Sequence, residues 1–349
     1  MKLIYFFIPI LFLISCESNN TNEPSENDIV PKGSFYILNQ GNWGGNNSSI
    51  SIYDPNRDTL MNNFFMDVNS LELGDSANDM MVIGDKLYVL VSGSKLVSVI
   101  DMATCEQVST ISIPNSNFPW KWTNNGDKIF ISDLYLNKVY VIDLATLTLE
   151  ETEFQTGPGP ENMAVINNNL IITNSALGEL NDTVQGSRTA SIIDLSTGEK
   201  IQDLEVGPNT RFVLADEANN SFYVGYSHFF SASNVGGLIE YDASTFEIKN
   251  EWSLDIQSNP LITDWGITYM SSVAISNLNK VTGENTNLIE NETLEEFWSG
   301  FQYDSETGSL MILNAKDYVV QGEVLIYNSD LELQKSLQTG IIPYAISKY

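Results

Sequence analysis

One pattern recurs along this chain and restricts what it can fold into. Alternating β-branched and aromatic residues run into an Asp or Asn, and a short turn-rich segment follows. The clearest copy is Lys138-Val139-Tyr140-Val141-Ile142-Asp143. Others are Ile50-Ser51-Ile52-Tyr53-Asp54, Val97-Ser98-Val99-Ile100-Asp101, Ala190-Ser191-Ile192-Ile193-Asp194, Leu238-Ile239-Glu240-Tyr241-Asp242 and Val324-Leu325-Ile326-Tyr327-Asn328, with a worn copy at Val273-Ala274-Ile275-Ser276-Asn277. The anchors at 54, 101, 143, 194, 242, 277 and 328 are separated by 47, 42, 51, 48, 35 and 51 residues. A period of roughly 40–50 residues holding several short strands is the mark of a β-propeller, a ring of four-stranded sheets around an axis. Seven anchors imply an all-β, seven-bladed ring.

Each repeat divides into four strands, A (innermost) to D (outermost). In the third repeat these fall at 118–123, 128–133, 138–143 and 149–154, with Asn124-Asn125-Gly126-Asp127 as hairpin chemistry between A and B. The Asp that ends each C strand, followed by Ala-Thr or Ser-Thr, suits a tight turn capped by side-chain oxygens; its recurrence argues for capping over catalysis. Residues 342–347 resemble an A strand with nothing after it, and 34–39 a B strand with no A strand before it. Joined, they complete one blade from both ends of the chain and remove two exposed sheet edges. Residues 255–296, the sixth blade, have an irregular period and resist division into strands.

Residues 1–15 read as a lipoprotein leader. Lys2 precedes an apolar run too short to span a bilayer, which ends Leu13-Ile14-Ser15-Cys16. That ending resembles the bacterial lipoprotein cleavage box, which implies lipidation of Cys16. Residues 16–31, rich in Asn, Ser, Glu and Pro, read as a flexible tether. Its acids Glu17, Glu23, Glu26 and Asp28 loosely resemble the export signals of surface lipoproteins in Bacteroidota. Residues 32–349 form the propeller. Sixteen basic against 45 acidic residues give a formal charge of −29, a field that repels nucleic acid and anionic headgroups. With Cys16 lipidated, Cys105 has no intrachain partner and reads as a half-buried, inert thiol.

The ring itself indicates where a site should lie. Connections from D to the next A, and from B to C, emerge on one face around the channel, the usual place for a ligand. The residues this face collects are Trp43, Asn78, Trp120, Tyr135, Asn162, Arg211, His228, Phe229, Trp298, Tyr318 and Tyr344. Aromatics offer rigid apolar area while Asn and Arg supply directional hydrogen bonds, a mixture that suits a large, flat, partly polar ligand. Enzyme readings are weaker. One His, no Cys cluster and no G-x-S-x-G elbow leave no recognised catalytic or His-built metal constellation. The glycines of Gly41-Asn42-Trp43-Gly44-Gly45 link two strands and open no helix, which argues against phosphate binding. Calcium held by Asp, Asn and backbone oxygens stays open, as do a propeller hydrolase or lyase with a metal at the channel mouth and a protein-binding scaffold.

The run Gly33-Ser34-Phe35-Tyr36-Ile37-Leu38-Asn39-Gln40-Gly41-Asn42-Trp43-Gly44-Gly45-Asn46-Asn47-Ser48, then Ile52-Tyr53-Asp54, resembles the opening blade of Bacteroidota propeller lipoproteins related to the YncE-like, YVTN-type propellers. Within that group the BtuG-type members capture cobalamin at the cell surface and pass it to a TonB-dependent outer-membrane transporter. With no catalytic constellation recognised, the chain reads as non-enzymatic with no cofactor required; the resemblance implies a lipid-anchored outer-membrane protein, at the cell surface or on the periplasmic face. It also implies a corrinoid as carried ligand and such a transporter as partner.

Overall fold

Strands B and C of a propeller blade are covered on both faces by neighbouring sheets, so their sequences are apolar almost throughout instead of strictly alternating. The structure, a computed structural model, describes residues 29–178, 184–227, 236–293 and 297–349. Within them the chain forms seven four-stranded antiparallel sheets in a ring, the seven-bladed propeller that the repeat implies. Blades 2 to 7 each take four consecutive strands. Their inner strands are Ala77–Ile83, Pro119–Asn124, Pro160–Ile166, Thr210–Asp216, Leu261–Thr263 and Trp298–Asp304. Blade 1 takes its inner strand, Pro343–Lys348, from the far end of the chain, and this strand pairs with Phe35–Asn39 in a register that sets Ile37 opposite Ile346. The expected closure is therefore present.

Among the described residues seven apolar clusters occur, one between each pair of neighbouring blades. The blade 3–blade 4 cluster is typical: Phe130, Val139 and Val141 meet Met163, Leu170 and Ile172. Each fully buried Leu, Ile or Phe of this kind stabilises the fold by roughly 1.5–3 kcal/mol relative to exposure. The outer strands are half solvated, as in Thr148–Gln155, where only Phe154 is buried. Cys105 is more deeply buried than expected, and burial pushes its thiol up to about 12.

The turn-capping role of the repeated Asp is borne out. Asp242 accepts the amides of Ser244 and Thr245, each at 2.9 Å, and Asp101 those of Ala103 and Thr104 at 3.0 and 3.2 Å. One anchor is corrected. In blade 6 the cap is Asn279, which accepts the amides of Val281 and Thr282, whereas Asn277 donates to the Trp265 carbonyl. The true anchor thus lies two residues beyond the expected one, and the strands that resisted placement are Leu261–Thr263, Gly266–Met270, Ala274–Leu278 and Asn285–Glu290. A second correction concerns the tether, whose last residues are docked. The amides of Ile29 and Val30 both reach the Ala103 carbonyl at 2.9 Å, and the Val30 side chain enters the blade 1–blade 2 core. The leader and Cys16 lie outside the described residues.

Candidate functional site

Every blade but the sixth breaks register at the start of its inner strand. The breaks fall between Ala77 and Asp79, Pro119 and Trp122, Pro160 and Met163, Thr210 and Phe212, Trp298 and Gly300, and Pro343 and Ala345. A bulge inserts residues that oppose no partner and re-aims their side chains. Trp120, Lys121, Glu161, Asn162, Arg211, Ser299 and Tyr344 sit at these breaks, and all line one cavity of about 340 Å³. Gln257, Ser258 and Asn259 complete its wall where the inner strand of blade 6 is only three residues long. Since the seven inner strands all begin at this end, the cavity is the mouth of the central channel.

A bulge leaves carbonyls outside the strand ladder, and a buried carbonyl needs another donor. The preceding blade supplies it. Asn78 Nδ2 donates to the Trp120 carbonyl at 3.2 Å, Ser132 Oγ to that of Glu161 at 2.9 Å, and Asn162 Nδ2 and Thr173 Oγ1 to that of Arg211 at 2.8 and 3.2 Å. Ser92 reaches Pro119 and Ser299 reaches Pro343 in the same manner. The ring is stitched blade to blade through the residues that line its mouth.

Four charged side chains line the cavity among the described residues, on consecutive blades and with alternating sign: Asp79, Lys121, Glu161 and Arg211. Lys121 Nζ lies 3.4 Å from Asp79 Oδ2 and donates to the Asn78 carbonyl at 2.9 Å; the Tyr344 ring centroid is 4.6 Å away and that of Trp120 5.7 Å. Burial works to discharge this ammonium, but Asp79, Tyr344 and Glu161 outweigh it and hold its pKa above the ordinary lysine value. Burial likewise pushes the Asp79 carboxyl up against the pull of Lys121. Arg211 Nε contacts Glu161 Oε2 at 3.3 Å, and the carboxylate raises the guanidinium further. Asn259 Nδ2 meets Asn162 Oδ1 at 3.3 Å across the mouth.

On the rim, Phe118 collects three rings, with centroids at 5.2 Å (Trp43), 5.5 Å (Trp120) and 6.1 Å (Tyr135). Trp43 is 71% exposed and Tyr135 53%. Phe297 and Tyr318 form a second pair at 5.2 Å, and Asn42 Nδ2 bonds the Tyr318 carbonyl at 3.1 Å. Rings from both types of connection therefore meet on one face, as the topology requires.

Of the residues expected at the site, Trp120, Asn162, Arg211 and Tyr344 share the cavity, while Trp43, Tyr135 and Tyr318 stand on the rim. Trp298 lines a separate pocket of about 220 Å³ between blades 6 and 7, bordered also by Met270 and Phe297. Asn78 is corrected: it is fully buried and acts as a stitch, absent from the cavity wall. His228 and Phe229 lie outside the described residues. Sequence reasoning missed Asp79, Lys121 and Glu161 as lining groups, because strict strand alternation sends neighbours of Trp120 and Asn162 to the opposite face and a bulge does not.

The chain matches the Domain of unknown function DUF5074 family over residues 32–328 and belongs to it. Comparison with the curated proteins finds none that matches. Among solved structures, a quinonprotein alcohol dehydrogenase-like protein from Bacteroides thetaiotaomicron superposes with a TM-score of 0.66 at 15% identity, covering 91% of this chain and 78% of that one. A candidate 6-phosphogluconolactonase from Bacteroides uniformis gives 0.66 at 11%, covering 90% and 99%. The periplasmic gluconolactonase of Pseudomonas aeruginosa gives 0.64 at 9%, covering 90% and 98%. At these identities the likeness is one of fold.

Proposed function

We propose that this chain is a ligand-capturing propeller, lipid-anchored through Cys16 at the outer surface of the outer membrane, that passes a corrinoid to a TonB-dependent transporter. The observation that carries the binding role is the convergence of bulge residues from six blades on one channel mouth with an exposed aromatic shelf at its rim. A cavity of about 340 Å³ is at the small end of those that hold drug-sized molecules. A corrin macrocycle with its side arms is larger than that, so it lies across the rim against Trp43, Phe118 and Tyr135, and one arm enters the channel. The charged groups of the cavity are committed to two ion pairs, an arrangement that favours holding a ligand over transforming one. The corrinoid and the transporter are drawn from the resemblance of the opening blade.

Calorimetric titration of cyanocobalamin and cobinamide into wild type, Trp120→Ala and Arg211→Ala, with melting curves alongside, tests the reading. Loss of a dominant contact costs about 2 kcal/mol or more, roughly a 30-fold weakening. Well-folded wild type that binds neither corrinoid refutes the ligand. Unchanged affinity in both folded variants refutes this mouth as its site.

A further inference from the structure

The charges around the channel mouth cancel in place. Asp79 and Lys121 pair at 3.4 Å, Glu161 and Arg211 at 3.3 Å, and no other ionisable side chain but the Tyr344 phenol lines the cavity among the described residues. The remaining polar lining is uncharged and includes the amides of Gln257, Asn259 and Gln302 and the hydroxyls of Ser258 and Ser299, set among apolar Leu261, Phe301 and Leu313. We infer that this mouth admits uncharged groups carrying both a hydrogen-bond donor and an acceptor, carboxamides above all, and turns away anions and cations alike.

The selection follows from what each pair leaves free. An anion approaching Arg211 meets the Glu161 carboxylate, and a cation approaching Glu161 meets the guanidinium. Either must give up hydration without gaining an unshared opposite charge, so desolvation is not recovered. A carboxamide faces no such conflict. Arg211 spends Nε on Glu161 Oε2 and lays its guanidinium over the Phe212 ring at 5.3 Å, while its terminal amino groups have no hydrogen-bond partner among the described residues. They can donate to an amide oxygen, while the second Glu161 oxygen accepts from the amide N–H₂. Elsewhere in the lining Gln302 commits its Nε2 to the Tyr303 carbonyl at 3.2 Å and keeps its oxygen for a further donor. The body's formal charge of −29 would on its own exclude anions and attract cations. Rejection of both signs is therefore the particular signature of the paired lining.

This inference rests on the reading of the mouth as the binding site, but its test needs no knowledge of the ligand. Trp120 lines the cavity, so its fluorescence reports what enters. Quenching by acrylamide (a neutral carboxamide), iodide and caesium is measured at constant ionic strength on wild type and Trp120→Phe, and the difference isolates the Trp120 component. Melting curves verify that the variant is folded. The expected quenching constant for acrylamide exceeds those of iodide and caesium by about fivefold or more, because neither ion recovers its desolvation at the paired lining. In Glu161→Gln, where Arg211 loses its partner, iodide quenching should rise to the acrylamide level. Caesium or iodide matching acrylamide in wild type overturns the inference, as does a Trp120 component that acrylamide does not reach. A channel that sorts quenchers as expected while no corrinoid binds overturns the corrinoid and leaves the charge rule standing. Corrinoid binding with no sorting does the reverse.

Discussion

Asn78 and Trp120 occupy corresponding places at the starts of neighbouring inner strands, yet one is sealed in the ring and the other faces its channel. Asn78 is fixed at both ends of its amide, receiving Ser92 Oγ at 2.5 Å and donating to the Trp120 carbonyl. Asn78→Ala strands the buried Trp120 carbonyl, while Ser92 keeps the Pro119 carbonyl as acceptor, a loss of about 1–3 kcal/mol. The melting temperature should fall while corrinoid affinity stays within about twofold of wild type, corresponding to a few tenths of a kcal/mol; a variant with unaltered stability would contradict the stitch. Asp304 acts between blades in a comparable way, accepting Lys348 Nζ at 3.0 Å and Thr307 Oγ1 at 2.7 Å. Burial opposes its ionisation, but the Thr307 hydroxyl and Lys348 prevail and leave its pKa below the ordinary value. A depressed carboxylate stabilises the fold fully above its unfolded pKa and loses that effect as pH falls through the folded one. Asp304→Asn should therefore cost about 1–2 kcal/mol at neutral pH. Urea midpoints taken across pH should show the gap from wild type closing below roughly pH 4; a gap that persists in acid would refute the assignment.

At the scale of the element, regular strands were legible in the sequence and their interruptions were not. In blade 3 the middle strands fall at Lys128–Asp133 and Lys138–Asp143, where the pattern puts them, because hydrophobic runs and turn residues fix such strands locally. The inner strand begins at Pro119 and bulges at once, and nothing in Pro119-Trp120-Lys121-Trp122 announces the bulge. That omission hid half of the channel lining: Trp120 was expected there and Lys121 was not. Asn78 failed for the related reason that Asn serves equally as a ligand contact and as a stitch. Blade 6 was obscured by a three-residue inner strand and by an Asn in place of the usual Asp. The closing strand was legible from the unpaired strands at the two ends of the repeat. Deleting residues 343–349 removes the inner strand of blade 1, the buried Ile346 and the Tyr344 wall of the channel. It also bares a sheet edge. Insolubility or a large drop in melting temperature is expected, and a truncated protein melting within a few degrees of wild type would exclude a closing role.

For the whole molecule, the acidic body and the leader bear on where the ring operates. A chain of formal charge −29 gains nothing from anionic headgroups, so the proposed hold on a membrane would have to come from acyl chains at Cys16. Cys16→Ala should move the protein into soluble fractions, and a variant that remains with the membrane would sink the anchor. The path of the chain into the ring then gives this anchor a direction. Ile29 and Val30 dock on the Ala103 carbonyl, in the turn after the third strand of blade 2, and such turns lie on the face away from the connections that build the mouth. A leash attached upstream, as proposed, would pull on the underside and leave the aromatic lip of the ring turned away from the membrane.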